Sequence, residues 1–145
     1  MEFLEQAHQL QPDHLDAAIN LGGAYILSGR FKPAVKVLEI AVEIDPSNAM
    51  TWTNLGAAYL GNPVLARSAE QDKAIEAFRK VLELEPGAPR VAYNIGLIYR
   101  DQRRWDEAAS WFRKAIKADP YDKDARGLYK KMRAMQEGGS PDEIP

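Results

Sequence analysis

The sequence contains no cysteine. That removes a disulfide framework, a thiolate nucleophile and thiolate metal ligands together, and it is compatible with a reducing compartment. Only two histidines occur, His8 and His14. No carboxylate cluster at metal-ligand spacing surrounds them, so both are expected to be solvated surface residues. There is no glycine-rich phosphate loop, nucleophile elbow or zinc-type spacing. The expectation is therefore no catalytic residue, no metal and no cofactor. No apolar run approaches the roughly 18 to 20 residues of a membrane span. The segment Met1–Gln6 is acidic and amphipathic, without the basic start and apolar core of a secretory signal. These absences lead us to expect a cytoplasmic chain without membrane insertion.

Charge of one sign is also scarce overall, at a net of −2, but it is unevenly spread. Residues 1–99 carry 8 basic and 12 acidic side chains, residues 100–133 carry 11 and 6, and the tail from 134 carries three acids. An acidic chain argues against a dedicated nucleic-acid binder, whose affinity comes from basic groups neutralising phosphates. Arg100, Arg103 and Arg104 lie in the basic stretch, but no interleaved stacking aromatics accompany them. At 46% hydrophobic and 28% charged the composition is that of a folded chain, so disorder is not expected over most of its length.

What the sequence does contain is repetition, which decides architecture before anything else. Ala18-Ile19-Asn20-Leu21-Gly22 with Tyr25, Trp52-Thr53-Asn54-Leu55-Gly56 with Tyr59, and Ala92-Tyr93-Asn94-Ile95-Gly96 with Tyr99 are three statements of one phrase. Pro12 to Pro46 spans 34 residues, Pro46 to Pro86 spans 40, and Pro86 to Pro120 spans 34 again. The six extra residues fall between Leu60 and Lys73 and read as a tolerated surface loop at a repeat turn, with a loop that adds a contact to a partner as the alternative. Each period splits into two helices. Gly29 stops the first helix of the first period, and Pro33 opens the second, where a missing N–H costs nothing. Ser47 and Asn48 are N-cap candidates. Ser68-Ala69-Glu70-Gln71 reads as a capping box, and Pro89 marks the start of the helix after it. A last helix from about Asp122 carries Ala125, Leu128, Tyr129 and Met132 on one stripe and basic residues opposite, as a solubilising cap does.

Glycine inside a helix costs about 1 kcal/mol relative to alanine. Keeping Gly22, Gly56 and Gly96 therefore points to close helix approach, with Ala34, Ala74 and Ala108 expected opposite and Leu38, Phe78 and Phe112 supplying bulk. In spacing and residue type the three copies resemble the tetratricopeptide repeat. The middle copy carries Trp52, Leu55, Gly56, Tyr59, Ala74, Phe78 and Pro86, with Val81 replacing a usual alanine. The expected organisation is one array over 2–136. It comprises a second helix of an incomplete repeat (2–12), repeats at 15–48, 49–88 and 89–122, and a capping helix at 122–136. A flexible tail at 137–145 follows.

The resemblance implies an all-α, right-handed α–α superhelix whose first helices line a concave groove. It would put Asp16, Ile19, Asn20, Gly23 and Ile26 there from the first repeat, and Met50, Thr53, Asn54, Ala57 and Leu60 from the second. The third would supply Arg90, Tyr93, Asn94, Leu97 and Arg100. The expected function is protein–protein interaction, with an extended or amphipathic peptide as the ligand. Asn20, Asn54 and Asn94 carry it, because a carboxamide both donates to and accepts from a peptide backbone. Such a ladder resembles that of the O-linked N-acetylglucosamine transferase repeat domain and of peroxisomal targeting receptors. The alternative for each Asn is that the residue is simply common at this point of the family's repeat or makes a local hydrogen bond. The positions at which chaperone-binding members clamp a C-terminal carboxylate hold Ile19, Gly23, Asn54, Arg90 and Asn94 here, of which Asn54 and Arg90 alone fit. Ile19, Met50, Tyr93 and Leu97 instead suit apolar contacts, with Arg90 and Arg100 available for acidic residues. The second hypothesis is self-association to a homo-oligomer, through helix 2–11 and contacts between acidic and basic ends.

Overall fold

The computed structural model describes residues 15–61 and 66–138. The helix expected at 2–11 and the tail from 139 onward lie outside the described residues. Seven helices follow in order: α1 (Leu15–Leu27), α2 (Phe31–Ile44), α3 (Ala49–Leu60), α4 (Ser68–Leu84), α5 (Val91–Asp101), α6 (Trp105–Ala118) and α7 (Lys123–Gln136). The described residues contain no strand. The chain divides into two compact units, one ending at Pro86 and one starting at Gly87.

In the first unit α1 packs on α2, α2 on α3 and α3 on α4, and α1 also touches α3. The reason is visible in the spacing. Ala34, Val37, Leu38, Ala41 and Val42 recur every three or four residues along α2 and are all buried, which makes one apolar stripe. Leu21 and Tyr25 of α1 and Leu55 and Ala58 of α3 close over that stripe. In the second unit α5 packs on α6 and α6 on α7. Ala125 and Met132 are the buried residues of α7, with Leu128 and Tyr129 half-buried beside them. Asn48 caps α3 by accepting from the Thr51 N–H at 3.2 Å, and Asp122 caps α7 by accepting from the Ala125 N–H at 3.1 Å. Ser47 caps nothing. It donates from both N–H and Oγ to Asp45, and those bonds hold the Asp45 carboxyl below its usual pKa.

Several expectations are corrected. The glycines admit close packing, and the atoms nearest to them belong to the bulky residues of the facing helix. A Cβ on Gly22 would lie 2.6 Å from Leu38, one on Gly56 2.7 Å from Phe78, and one on Gly96 2.7 Å from Phe112. Ala34, Ala74 and Ala108 are fully buried one turn earlier on the same helices. Each glycine is thus a socket for a bulky side chain. The capping box at Ser68 does not form: Arg67 is the N-cap residue and gives no side-chain cap. The Gln71 N–H already bonds the Arg67 carbonyl, so Ser68 is helical and its hydroxyl is no longer placed to cap. Pro89 lies two residues ahead of α5, which starts after Arg90 in the left-handed region at φ 67°. Part of the insertion is helix, as a helix opening at Ser68 implied. α4 has 17 residues against 14 in α2 and α6, and Gln71 takes the register position of Phe31 and Trp105.

Candidate peptide-binding faces

Each first helix of a pair ends through the same chemistry where its turn is short. After α1, Arg30 N–H bonds the Tyr25 carbonyl at 2.8 Å and Gly29 N–H bonds the Ile26 carbonyl at 3.0 Å. After α5, Arg104 N–H bonds the Tyr99 carbonyl and Arg103 N–H bonds the Arg100 carbonyl, both at 2.9 Å. These are Schellman turns with a left-handed residue at the corner: Gly29 at φ 75° and Arg103 at φ 59°. The turn folds the arginine back over the tyrosine. The Arg30 guanidinium lies 4.9 Å from the Tyr25 ring centre, and that of Arg104 lies 4.8 Å from Tyr99, within cation–π range.

In the second repeat the turn is longer, and α4 supplies the cation instead: Lys73 Nζ stands 5.7 Å from the Tyr59 ring. All three repeat tyrosines are therefore covered by a cation. This was missed from the sequence, although an Arg five residues after Tyr25 and Tyr99 was the available signal. Burial, and then the charge and hydrogen bond of Glu39, push the Tyr59 phenol above its ordinary pKa of 10.0.

The predicted binding residues divide by unit. In the first, Asn20 is exposed on α1 and Asn54 is half-buried on α3. Met50 is 63% exposed, while Ile19 is buried at 8%. Ile26, Ala57 and Leu60 are half-buried, as is Gly23, and Asp16 is exposed. The Thr53 hydroxyl donates back to the Ala49 carbonyl. In the second unit Asn94 is exposed and Leu97 half-buried on α5. Tyr93 stacks obliquely on Phe112, with ring centres 5.8 Å apart. The Arg90 guanidinium lies 3.8 Å from the centre of the Tyr93 ring. Arg90 also donates to Asp122 at 2.9 Å, and Arg100 pairs with Asp101 at 3.2 Å. Both arginines read as available for acidic ligand groups are thus engaged within their own unit.

Among the described residues no hydrogen bond involves the side chain of Asn20, Asn54 or Asn94, so the local hydrogen bond considered for each is not made. No group of three or more His, Asp or Glu among them could hold a metal ion. None of the described helices is long and apolar enough to cross a membrane.

Comparison with known proteins bears on the same features. Tetratricopeptide repeat family models match residues 1–59 and 63–123. The peroxisomal targeting signal receptor of Kluyveromyces lactis is 27% identical over 108 residues, covering 74% of this chain and 18% of the receptor. That of Candida albicans is 30% identical over 100 residues, covering 66% and 16%. The chain thus spans less than a fifth of the length of these relatives. Among solved structures, MamA matches with a TM-score of 0.80 at 21% identity, over 93% of this chain and 75% of that one. The first TPR of Spaghetti, solved with an HSP90 peptide, matches with a TM-score of 0.68 at 16% identity, over 85% and 95%. Two family matches over nearly the whole length, helical pairs in the repeat period and a glycine socket in every copy agree: the chain belongs to the tetratricopeptide repeat family and has its all-α solenoid fold.

Proposed function

We propose that this chain is a non-enzymatic protein–protein interaction scaffold that holds an extended or amphipathic segment of a partner against its first-helix faces. The carrying observation is the carboxamide at the same place in every repeat, with no hydrogen-bond partner among the described residues. An asparagine left unpaired at a surface loses nothing, because water satisfies it. An extended peptide can replace that water, giving and receiving backbone hydrogen bonds worth about 1 kcal/mol each. Met50 and Leu97 provide apolar contact beside Asn54 and Asn94. The buried Ile19 would serve as support beneath the face rather than as a contact. The names of the similar proteins, targeting-signal receptors and a domain bound to an HSP90 peptide, are compatible with a peptide ligand. The carboxylate-clamp pattern is missing here, so a chaperone tail is not the proposed one.

Selection of a displayed peptide library on the whole chain, followed by fluorescence anisotropy of the winning sequence, tests the proposal. Asn54→Ala is expected to weaken that peptide about tenfold, equivalent to about 1.4 kcal/mol, with an unchanged helical spectrum. Selection of no peptide, or equal affinity in the Asn20, Asn54 and Asn94 triple alanine variant, would count against it.

A further inference from the structure

The second repeat carries a feature that the first-helix faces do not use. A cleft of about 570 Å³ opens in the first unit between α2, the end of α3 and the start of α4. Its volume lies within the range of ligand-binding pockets. The cleft belongs to the insertion. Ala66, Arg67 and Glu70 line it, and all three lie in the longer turn or in the extra helical residues of α4. Where the turn has three residues, as after α1 and α5, no such wall can be supplied.

The chemistry of the lining is graded. Phe31, Val35 and Leu60 form a half-buried apolar floor. Lys32, Lys36 and Arg67 stand exposed at the rim, and none of the ion pairs among the described residues includes them. Of the remaining charged groups, Glu39 is bound to the Tyr59 phenol and Lys73 lies over its ring. Glu70 is the one acidic side chain not so engaged. Three unpaired cations against one carboxylate, around an apolar floor, leave a site of net positive charge in a chain whose net charge is −2.

We infer that this cleft is a second docking site, for a short acidic segment of a partner protein that inserts a bulky apolar side chain between flanking carboxylates. The apolar side chain would displace water from the Phe31, Val35 and Leu60 surface, which supplies most of the affinity. The carboxylates would meet the exposed ammonium and guanidinium groups, setting specificity and encounter rate more than affinity. Because those contacts are solvent-exposed, they weaken as salt screens them. The site is independent of Asn20, Asn54 and Asn94.

The test is anisotropy of the whole chain with a fluorescein-labelled Asp-Glu-Leu-Phe-Glu-Asp peptide. Two controls replace Leu-Phe by Ala-Ala, or every acid by Lys. The acidic peptide with its anchor is expected to bind at least tenfold tighter than either control and to lose affinity between 50 and 500 mM salt. In the double variant Lys32→Glu/Lys36→Glu the preference should invert, with the lysine-flanked peptide now bound more tightly. Both positions are exposed, and a gain of new preference cannot come from unfolding. Asn54→Ala should leave this binding unchanged, so its failure and that of the first-helix face are read separately. Equal binding of the three peptides, or no change of preference in the double variant, would overturn the inference.

Discussion

Gly96→Ala puts the packing argument at risk most directly. Its added Cβ would lie 2.7, 2.8 and 3.0 Å from three atoms of the Phe112 ring. Phe112 is completely buried and is held from a second side by Tyr93, so the rigid ring cannot swing aside. Overpacking of this kind costs about 1–3 kcal/mol, and three contacts this short place it near the upper end. Alanine's better helix propensity returns about 1 kcal/mol. The net expectation is a loss of about 2 kcal/mol.

Gly127 of α7 is the internal control, since a Cβ there meets nothing within 4 Å. Gly127→Ala should gain up to about 1 kcal/mol by the same propensity difference. Urea unfolding followed by circular dichroism at 222 nm measures both. In a double-mutant cycle, Gly96→Ala combined with Phe112→Ala should cost less than the two changes summed, by about 1 kcal/mol or more, because removing the ring removes the clash. A Gly96→Ala protein as stable as the parent, or more stable, would refute the socket account.

Three further outcomes follow from the caps and turns. Arg103→Gly should stabilise the protein by about 1 kcal/mol in thermal unfolding, because Arg103 occupies the left-handed corner that Gly29 fills after α1 and that glycine adopts without strain. Asn48→Ala should cost about 1 kcal/mol in urea unfolding through loss of the bond to Thr51 N–H, with Asn48→Asp close to neutral. Tyr59 should ionise later than an ordinary tyrosine in an ultraviolet titration. Its raised pKa means the folded state holds the phenolic proton more tightly than the unfolded state. That contribution is complete below pH 10 and is lost as pH rises through the folded pKa. Tyr59→Phe should therefore flatten the alkaline fall in stability; an equally steep fall in the variant would contradict this.

The helices, their order and most of their ends were legible because helix formation is local. Periodicity of apolar residues, Gly29 after α1 and Asn48 before α3 act within a turn or two of chain. The failures share a cause as well. Ser68 carries the letters of a capping box, yet Arg67 is the N-cap and Ser68 is already the first helical residue, and a motif does not record where its helix starts. The six extra residues announced a break in period, and the helix read as opening at Ser68 starts one residue earlier than a cap there would place it. Arg90 and Arg100 looked available, because their partners, Asp122 from the next helical element but one and the neighbouring Asp101, are settled by side-chain rotamers in three dimensions.

The sequence by itself determined a helical repeat: three copies of Asn, Leu or Ile, Gly and a later Tyr, paired with helices carrying Ala and Leu or Phe. The repeat needs nothing beyond intervals of three, four and 34 residues, which a linear chain displays openly. Tertiary structure decided which side chain fills each glycine, that every repeat tyrosine lies under a cation, and that Lys73 takes over this role where the turn is long. It also decided that the insertion walls a cleft with a basic rim. Apart from Arg30 and Arg104, each five residues after its tyrosine, these depend on distances between residues well separated in the chain, set by how whole helices pack.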